Sequence, residues 1–267
     1  MKKILVPIDF SPSTKETMDF AIMLADKLGS TSLLVLNVID FMEKMVGLRS
    51  VNQVLQDDAI ERLGTFLEPY KKKSNVKILS KIVKGEPYSV ISRQANVNHA
   101  DLVVIGAQGE DNEEKYFLGK IAGSLIKFGS VPVIAVPHLY KIRDTRKILF
   151  MYRKLHKNLF DVINPLLDLA RACDAAISSV HLTGAQTGPI AYSTDLIFEE
   201  IPHTHTELLA DTFTEGINKV LGEDDDIGLV CVLRRKRGFL EHIFESSPTP
   251  KSIIDSPVPV LFLNDDE

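Results

Sequence analysis

The first half of the chain alternates short apolar runs with longer amphipathic segments. The apolar runs are rich in Val, Ile and Leu and are bounded by polar residues, glycine or proline, which is typical of buried strands. They predict strands near residues 3–8, 32–39, 76–83, 101–105 and 132–136, with helices near 12–28, 50–73, 87–98 and 115–129. Strands separated by helices pair in parallel through right-handed crossovers. The pattern therefore predicts a doubly wound parallel sheet.

The second half of the chain begins as the first one does. Residues 146–150 read RKILF and echo KKILV at residues 2–6, while the apolar run at residues 257–263 echoes the one at 131–136. Two copies of one unit in a chain are the signature of a repeated domain. We predict an α/β fold of two tandem doubly wound domains, each with five parallel strands. The first spans residues 1–140 and the second spans residues 141–267.

The second copy is shorter than the first. Residues 175–182 match the second strand, residues 195–201 are predicted as the third strand, and residues 204–221 as the third helix, before a fourth strand at 227–233. Only residues 183–194 are left where the first copy has a long helix, so the second helix is predicted to be deleted. Alternatively, residues 204–221 are the second helix and the third strand is missing. In either case the second domain is abbreviated.

Polar and glycine residues follow two strands of the first copy. Asp9 ends the first strand, and Ser11 before a proline, or Ser13 with Glu16 as a capping box, would begin the next helix. Gly106 and its neighbours follow the fourth strand. Ligands of open parallel sheets bind outside the carboxyl ends of the strands, where the strand order reverses. Asp9 and the glycine loop would lie together if their two strands are neighbours.

The glycine loop has the composition of a phosphate site. Gly106 and Gly109 come directly after the strand, and Gly119 precedes Lys120 at the start of a helix. Glycine lets the backbone approach an anion closely, and the first turn of a helix adds partial positive charge. Glycines after strands also serve as simple turns, so the spacing leaves both interpretations open.

Four stretches together resemble the universal stress protein family. They are PIDFS at residues 7–11, LNVID at 36–40, the spacing G-x2-G-x9-G that begins at Gly106, and VPVIAVP at 131–137. The resemblance implies an adenine-nucleotide alpha hydrolase-like fold. In the nucleotide-binding members of that family, ATP lies between the aspartate of the first strand, the end of the second strand and the glycine loop.

The resemblance also implies roles for particular residues. Asp9 would face the ribose and, through the nucleotide, a phosphate-bound Mg²⁺, whereas Val38 would meet adenine through its backbone. The three loop glycines would hold phosphates. The complete nucleotide site implied in this way comprises Pro7, Ile8, Asp9, Val38, Ile105, Gly106, Gly109, Gly119, Lys120 and Ile121.

Lys120 departs from the family pattern, in which a Ser or Thr follows the last glycine. A Gly-Ser pair occurs at residues 123–124, but the spacing from Gly119 to Pro132 fits the family and the later pair does not. An ammonium contacts a phosphate as a point charge and cannot reproduce the short hydrogen bond of a hydroxyl. The cofactor expected from the resemblance is nevertheless ATP, with Mg²⁺.

The second copy lacks the residues that would hold a nucleotide. Arg153 stands where Asp9 stands in the first copy, LRRK at residues 233–236 replaces the first glycines, and Ser246-Ser247 replaces the last glycine and its lysine. We therefore expect no nucleotide there in the manner of the family. The basic residues form either an anion site or a solvated loop.

Composition limits the partners. The chain has 267 residues, a formal net charge of −5 and a pI near 5.8, which disfavours a nucleic-acid surface over the whole chain. Cys173 and Cys231 are far apart in sequence and indicate neither a disulfide framework nor a zinc motif. No apolar run reaches the roughly 18 residues of a membrane helix, and Asp9 interrupts the N-terminal one. A cytoplasmic protein that binds neither membrane nor nucleic acid is expected.

Three functions fit these observations. The favoured one is a cytosolic stress protein whose first domain binds an adenine nucleotide as a sensor or switch, with at most slow ATP hydrolysis, because no general base is evident beside the loop. The second is a nucleotide-free dimeric interaction protein. The third is an ATP-using adenylating enzyme, which the absence of a serine- and glycine-rich loop after the first strand disfavours. The last strands of the two domains are expected to pair, and two chains to form a homodimer.

Overall fold

The computed structural model describes residues 1–29, 31–39, 49–107, 119–153, 155, 159–183, 197–198, 200–235 and 256–265. The strands found there are β1 (Lys3–Ile8), β2 (Ser32–Ile39), β3 (Lys77–Lys84), β4 (Leu102–Gly106), β5 (Val133–Val136), β6 (Lys147–Tyr152), β7 (Ala176–Thr183), β8 (His203–Leu209), β9 (Ile227–Arg235) and β10 (Val260–Asp265). The helices found there are α1 (Thr14–Lys27), α2 (Arg49–Lys73), α3 (Pro87–Val97), α4 (Lys120–Phe128), α5 (Leu159–Cys173) and α6 (Phe213–Glu223).

The strands form one continuous sheet in the order β3-β2-β1-β4-β5-β10-β9-β6-β7-β8. Neighbouring strands are parallel except at the centre, where β5 and β10 pair antiparallel with Ile134 opposite Leu261. Each half is thus a five-stranded, doubly wound parallel sheet, and the predicted α/β fold class is confirmed. The predicted pairing of the two last strands within the chain is confirmed as well, whereas the homodimer stays a prediction.

The helices cover both faces of the sheet. Apolar side chains on one face pack with residues of α1, α2 and α5, and those on the other face pack with residues of α3, α4 and α6. The central strands are buried on both sides, which explains their near-continuous apolar sequences. The outermost strands, β3 and β8, are largely exposed. Burial of a single large apolar side chain contributes about 1.5–3 kcal/mol, so the exposed edge strands contribute less to stability than the central ones.

Contacts join the two halves outside the sheet. The Tyr140 ring packs edge to face on Phe20 of the first half, and Arg143 Nη2 donates to the carbonyl oxygen of Ile227 in the second. The ammonium of Met1 lies 2.8 Å from a carboxylate oxygen of Asp168. The linker is therefore packed against both halves, and the division at residues 140 and 141 stays a prediction.

The prediction of a strand at residues 195–201 is wrong. The described residues 197, 198, 200 and 201 form turns, in which Phe198 and Ile201 are buried. Phe198 packs edge to face on Phe150, with ring centroids 5.9 Å apart. The apolar residues of this run therefore fill the core from a turn and add no strand to the sheet. The third strand is β8, which lies beside β7 and overturns the alternative in which that strand is missing.

The prediction that a helix begins near residue 204 is also wrong, because α6 begins at Phe213. The side chain of Thr212 accepts a hydrogen bond from the backbone N–H of Glu215, and the Glu215 carboxylate accepts one from the N–H of Asp211. A threonine followed three residues later by a glutamate is a helix-start signal. The predicted deletion of the second helix falls largely on residues 184–196, which lie outside the described residues.

Candidate functional site

The carboxyl ends of β1 and β4 lie side by side. The two strands pair in parallel, with Ile4 opposite Leu102 and Leu5 opposite Val103. Strand order reverses between them, since β2 continues to one side and β5 to the other. The expectation that Asp9 and the glycine loop share this edge is confirmed for Asp9 and Gly106. Gly109 lies outside the described residues.

Asp9 is exposed and held by the start of α1. One carboxylate oxygen accepts hydrogen bonds from the backbone N–H of Ser11 at 3.0 Å and from the Thr14 hydroxyl at 3.3 Å. The predicted capping box does not form, since the Ser13 side chain makes no capping bond to α1 and its hydroxyl lies 3.1 Å from that of Ser11. Thr14 is a residue that the sequence analysis missed. Its position five residues after Asp9, at the start of the predicted helix, was the available signal.

The residue after Asp9 has an uncommon backbone conformation. Phe10 has a φ of 60°, in the left-handed region that few non-glycine residues adopt. Its ring packs edge to face on Phe66 of α2, and the guanidinium of Arg62 lies 4.5 Å above its centroid. These contacts hold the turn that carries Asp9 to the edge of the sheet.

The ends of β1 and β2 are tied together. Asn37 is buried, and its side-chain amide donates to the carbonyl oxygen of Ile8 at 3.0 Å. Pro7 and Ile8 are buried in β1, while Val38 is half-buried next to the end of β2. The backbone of Val38 is therefore held at the same edge as Asp9. Asn37 is a second residue that sequence reasoning missed, because a polar residue within an apolar run gave no sign of its partner.

The glycine loop closes onto the start of α4. The N–H of Ala107 donates to the carbonyl oxygen of Val136 at 2.8 Å, and the N–H of Gly119 donates to the carbonyl oxygen of Ala107 at 2.6 Å. Gly119 is buried and is the N-cap of α4. Because glycine has no side chain, it cannot cap the first N–H groups of the helix. Within the described residues, the first turn of α4 therefore has backbone donors of the kind that bind anions.

The remaining predicted residues surround these donors. Ile105 is buried in β4, and Ile121 is half-buried in the first turn of α4. Lys120 is exposed as the first residue of that helix. The structure therefore brings nine of the ten predicted residues to one edge of the sheet or into the strand ends behind it, Gly109 being outside the described residues.

Glu86 is an acidic neighbour that sequence reasoning missed. Its carboxylate caps α3 by accepting from the N–H of Ser89 at 2.8 Å and of Tyr88 at 3.1 Å. These hydrogen bonds, with a smaller contribution from the charge of Lys120, lower the pKa of Glu86. Lys120 and Glu86 thus interact electrostatically at the site. The sequence signal was Pro87, since proline favours the first position of a helix.

Arg153 takes the position of Asp9 in the second half and makes different contacts. One guanidinium nitrogen donates to the carbonyl oxygens of Asp211 at 2.5 Å and Ala210 at 3.4 Å, just after β8. The guanidinium also lies 5.6 Å from the ring centroid of Phe213. Burial lowers the pKa of Arg153, although a guanidinium remains charged in proteins.

The other basic residues of the second site are not described in the same detail. Arg234 and Arg235 belong to β9, but only their backbone is described, and residues 236–255 lie outside the described part. The choice between an anion site and a solvated loop therefore stays open. Arg153 itself is bound to backbone carbonyl groups of its own chain.

The remaining candidates from the sequence have no assembled chemistry in the described part of the chain. No three His, Cys, Asp or Glu side chains in that part come together as a metal site would require. Cys173 and Cys231 are free, and burial raises the pKa of both thiols, so both are poor nucleophiles. Among the described helices, none has the length and hydrophobicity needed to span a bilayer.

Comparisons with known proteins agree with this fold and site. The model of the universal stress protein family matches residues 1–137. Two universal stress proteins of Methanocaldococcus jannaschii are 28% identical over 141 residues and 26% identical over 153 residues; each match covers 51% of this chain, and 81% and 94% of the respective relative. A crystal structure of a universal stress protein from Archaeoglobus fulgidus is similar over 98% of this chain and 96% of that one, with a TM-score of 0.76 and 17% identity.

Proposed function

Since the chain belongs to the universal stress protein family, we propose that its first half binds ATP or another adenine nucleotide and works as a nucleotide-dependent sensor or switch. The observation that carries the proposal is the parallel pairing of β1, which Asp9 follows, with β4, which leads to the glycine N-cap of α4, at the point where the strand order reverses. An acceptor for hydroxyl groups and donors for phosphate thus belong to the same edge of the sheet. The ribose and the phosphates of a nucleotide offer a partner to each.

Each part of the nucleotide has a counterpart at this edge. Adenine would be recognised by the backbone of Val38, and the ribose by Asp9. The phosphates would be held by Gly106, Gly109 and the first turn of α4, with Lys120 as an added charge. When bound, the nucleotide would supply its own Mg²⁺, which Asp9 would approach only through the phosphates. The N–H groups of the first turn of α4, to which the N-cap Gly119 gives no side-chain cap, fit such an anion.

We propose binding without dedicated catalysis. The two carboxylates described at this edge are Asp9 and Glu86, and both accept hydrogen bonds from neighbouring backbone N–H groups. At Glu86 such bonds favour the charged form, lower the pKa and reduce the strength of the carboxylate as a base. At most slow hydrolysis of ATP is expected from this arrangement, and the protein is expected to act in the cytoplasm.

Isothermal titration calorimetry of the full chain with ATP, ADP and AMP tests the proposal. Asp9→Ala and Gly109→Val are both expected to weaken binding, the second because a branched side chain blocks the approach of the backbone to phosphate. Asp26→Ala is the matched control, since Asp26 is exposed near the other end of α1. No heat with any of the three nucleotides at millimolar concentration would contradict nucleotide binding.

A second candidate function is that of a nucleotide-free interaction protein that works as a homodimer. It is favoured by Lys120, which replaces the hydroxyl residue of the family, and by Arg153, which replaces the aspartate in the second half. Mass spectrometry of small molecules released from the purified, denatured protein separates the two candidates. Light scattering then tests the homodimer, which a monomer of 29.7 kDa would contradict.

A further inference from the structure

A cavity of about 400 Å³ lies between the two halves. One wall is formed by residues that precede β1, β4 and β5, among them Met1, Asp101 and Pro132, and the other wall is formed by α5. Cavities that hold ligands commonly have volumes of roughly 300–1,000 Å³. Because this cavity lies at the amino-terminal ends of β1 and β4, it is at the opposite edge of the sheet from the proposed nucleotide site.

The two halves are related by an approximate twofold axis at the centre of the sheet. Strands β5 and β10 pair antiparallel with Ile134 opposite Leu261, so a half turn about this pair exchanges the two strands. Helices α1 and α5 also correspond. Each is closely followed by a left-handed residue, Gly29 with a φ of 79° and Asp174 with a φ of 51°, whose N–H donates to the carbonyl three residues earlier. The cavity beside α5 therefore has a counterpart beside α1.

The counterpart beside α1 is filled by the linker between the halves. Phe20 lies nine residues before the left-handed Gly29. Pro165 lies nine residues before Asp174, so the two residues occupy the same place on their helices. Three matched pairs are buried in both helices, namely Ala21 and Leu166, Leu24 and Leu169, and Ala25 and Ala170. The ring of Tyr140 is buried edge to face on Phe20, with centroids 5.9 Å apart, whereas Pro165 is half-buried and lines the cavity.

The linker shows which chemistry fits such a place. Tyr140 is its buried anchor, and Lys141 and Arg143 follow it as exposed residues. The guanidinium of Arg143 donates to the carbonyl oxygen of Ile227. A segment with an aromatic ring beside cationic side chains therefore holds the place that corresponds to the cavity.

The charges that line the cavity favour a basic occupant. Asp161 is exposed on α5, and Asp168 lies 2.8 Å from the ammonium of Met1 with 39% of its side chain exposed. Asp101 accepts a hydrogen bond from the backbone N–H of Lys2 at 2.7 Å. Among the described lining residues, three carboxylates thus accompany one ammonium. Complementary charge steers association and suppresses wrong partners.

The C-terminal residues of the chain do not suit the cavity. Asn264 lines it and corresponds to Pro137, at which the linker begins, because each lies three residues after the matched positions Leu261 and Ile134. The residues at 265–267 are all acidic. The carboxylates of the cavity repel such a segment, so a basic occupant has to come from another molecule.

We propose that this cavity binds a segment of a partner protein in which an aromatic side chain stands next to lysine or arginine. The aromatic ring would pack on Pro165 as Tyr140 packs on Phe20, and the cation would pair with Asp161. A buried aromatic anchor carries most of the binding free energy at such interfaces, and exposed charges add rate and specificity. This proposal does not rest on nucleotide binding.

A synthetic peptide with the sequence of the linker, residues 137–146, is the probe. It is blocked at both ends, labelled with a fluorophore and titrated with the full chain, and binding is measured by fluorescence anisotropy. Because the chain's own linker already fills its place beside α1, the free peptide is left with the cavity. Tyr140→Ala in the peptide is expected to weaken binding about tenfold, the loss of an aromatic anchor. Affinity for the unchanged peptide should fall as salt rises.

Variants of the full chain locate the binding. Asp161→Asn is expected to weaken it about fivefold, the typical upper limit for one exposed ion pair. Asp225→Asn is the matched control, because Asp225 is exposed just before β9, at the opposite edge of the sheet. Nuclear magnetic resonance of the unchanged chain gives a readout that needs no variant, since the backbone amide shifts of Asp161, Val162 and Ser130 should move on binding and that of Phe20 should not.

Four results would overturn the proposal. They are no binding at millimolar peptide, equal weakening by Asp161→Asn and Asp225→Asn, shift changes centred on Phe20, and equal affinity for spermidine. Spermidine is a small organic cation without an aromatic ring, so equal affinity would show a site for small cations. All of these measurements are made without nucleotide, and their outcome is independent of whether the first half binds ATP.

Discussion

The two halves of the sheet share their order of strands and differ in what stands at the strand ends. Strand β1 is followed by the exposed carboxylate of Asp9, and the equivalent strand β6 is followed by the guanidinium of Arg153. Asp9 receives donors from its own turn and stays open to solvent. Arg153 reaches two carbonyl groups beyond β8. The side chains of Asp9 and Arg153 therefore differ in their charge, in the groups that they contact and in whether they are open to a ligand.

This difference separates the requirements of folding from those of binding. Strands at the centre of a parallel sheet are buried on both faces, so packing limits them to apolar residues of suitable volume in both halves. Residues that follow the strands lie at the edge, where packing imposes little. Chemistry can change there without disturbing the sheet. The first half has an aspartate and three glycines at these positions, and the second half has Arg153, LRRK and a serine pair.

The largest expected effect comes from moving the residue of the second half into the first. Asp9→Arg removes the proposed acceptor for the ribose and places a cation at the proposed nucleotide site. ATP affinity is expected to fall on the order of a hundredfold, the loss of one or two hydrogen bonds to a charged group. Calorimetry measures it, and an unchanged unfolding temperature shows that the sheet is intact.

The reverse exchange should not create a second nucleotide site. Arg153→Asp removes the donors to Asp211 and Ala210, but LRRK at residues 233–236 still lacks the glycines that let a backbone approach phosphate. The stoichiometry is expected to stay at one ATP per chain. A second bound ATP in this variant would show that the strand ends of the two halves are interchangeable, contrary to the comparison.

Such exchanges are informative because the sequence predicts the strands well and the contacts of the residues at the strand ends poorly. Most strand bounds of the first half follow from apolar runs, and they agree with the structure to within one residue. The placement of Asp9 and Gly106 at the same edge of the sheet could also be predicted, since it depends only on β1 and β4 being neighbours. The bond from Asn37 to Ile8 and the reach of Arg153 did not follow, because each depends on residues distant in sequence.

The third strand of the second half shows why the prediction failed there. An edge strand is exposed on most of its surface, so β8 reads HTHTELL and lacks an apolar run. The preceding apolar residues Phe198 and Ile201 suggested a strand, but they are buried from a turn. Hydrophobicity reports burial, and burial does not require a strand. The capping pair of Thr212 and Glu215 was the local signal for the correct boundary.

An intermediate effect is expected at the turn after the third strand of each half, where Gly85 of the first half corresponds to Ala210 of the second. Gly85 donates its N–H to the carbonyl of Ile39, and Ala210 donates in the same way to Thr183. Gly85 has a φ of 143°, and a Cβ there would lie 2.8 Å from a methyl carbon of Val90. Gly85→Ala should therefore destabilise the fold by about 1–3 kcal/mol, as measured by urea denaturation.

The matched control for this variant is Gly222→Ala. A Cβ at Gly222 meets nothing within 4 Å, and the residue lies inside α6, where alanine is favoured by about 1 kcal/mol over glycine. Gly222→Ala should be neutral or stabilising. Equal destabilisation by both variants would mean that the left-handed turn of the first half is not a requirement of its fold.

The smallest expected effect concerns Lys120, which stands where the family resemblance led us to expect a Ser or Thr. Lys120→Ser restores a hydroxyl that hydrogen-bonds phosphate and removes a point charge, so the two changes oppose each other and ATP affinity should shift only a few-fold. The dependence of ATP affinity on salt should weaken clearly, because an exposed charge is screened and a short hydrogen bond is not.

The pKa of Glu86 should also rise toward its usual range in this variant, since Lys120 helps to lower it. A carboxyl group whose pKa is lower in the folded chain than in the unfolded chain stabilises the fold at pH values above the unfolded pKa. This stabilisation is lost as the pH falls through the folded pKa. Because the folded pKa of Glu86 is higher in the variant, the variant should lose the stabilisation at a higher pH than the parent chain. Calorimetry at two salt concentrations and an NMR titration of Glu86 measure these changes. An unchanged dependence of ATP affinity on salt would mean that Lys120 does not contact the phosphates. The first turn of α4 would then lack a phosphate contact from this side chain, as the second half is expected to lack a nucleotide site.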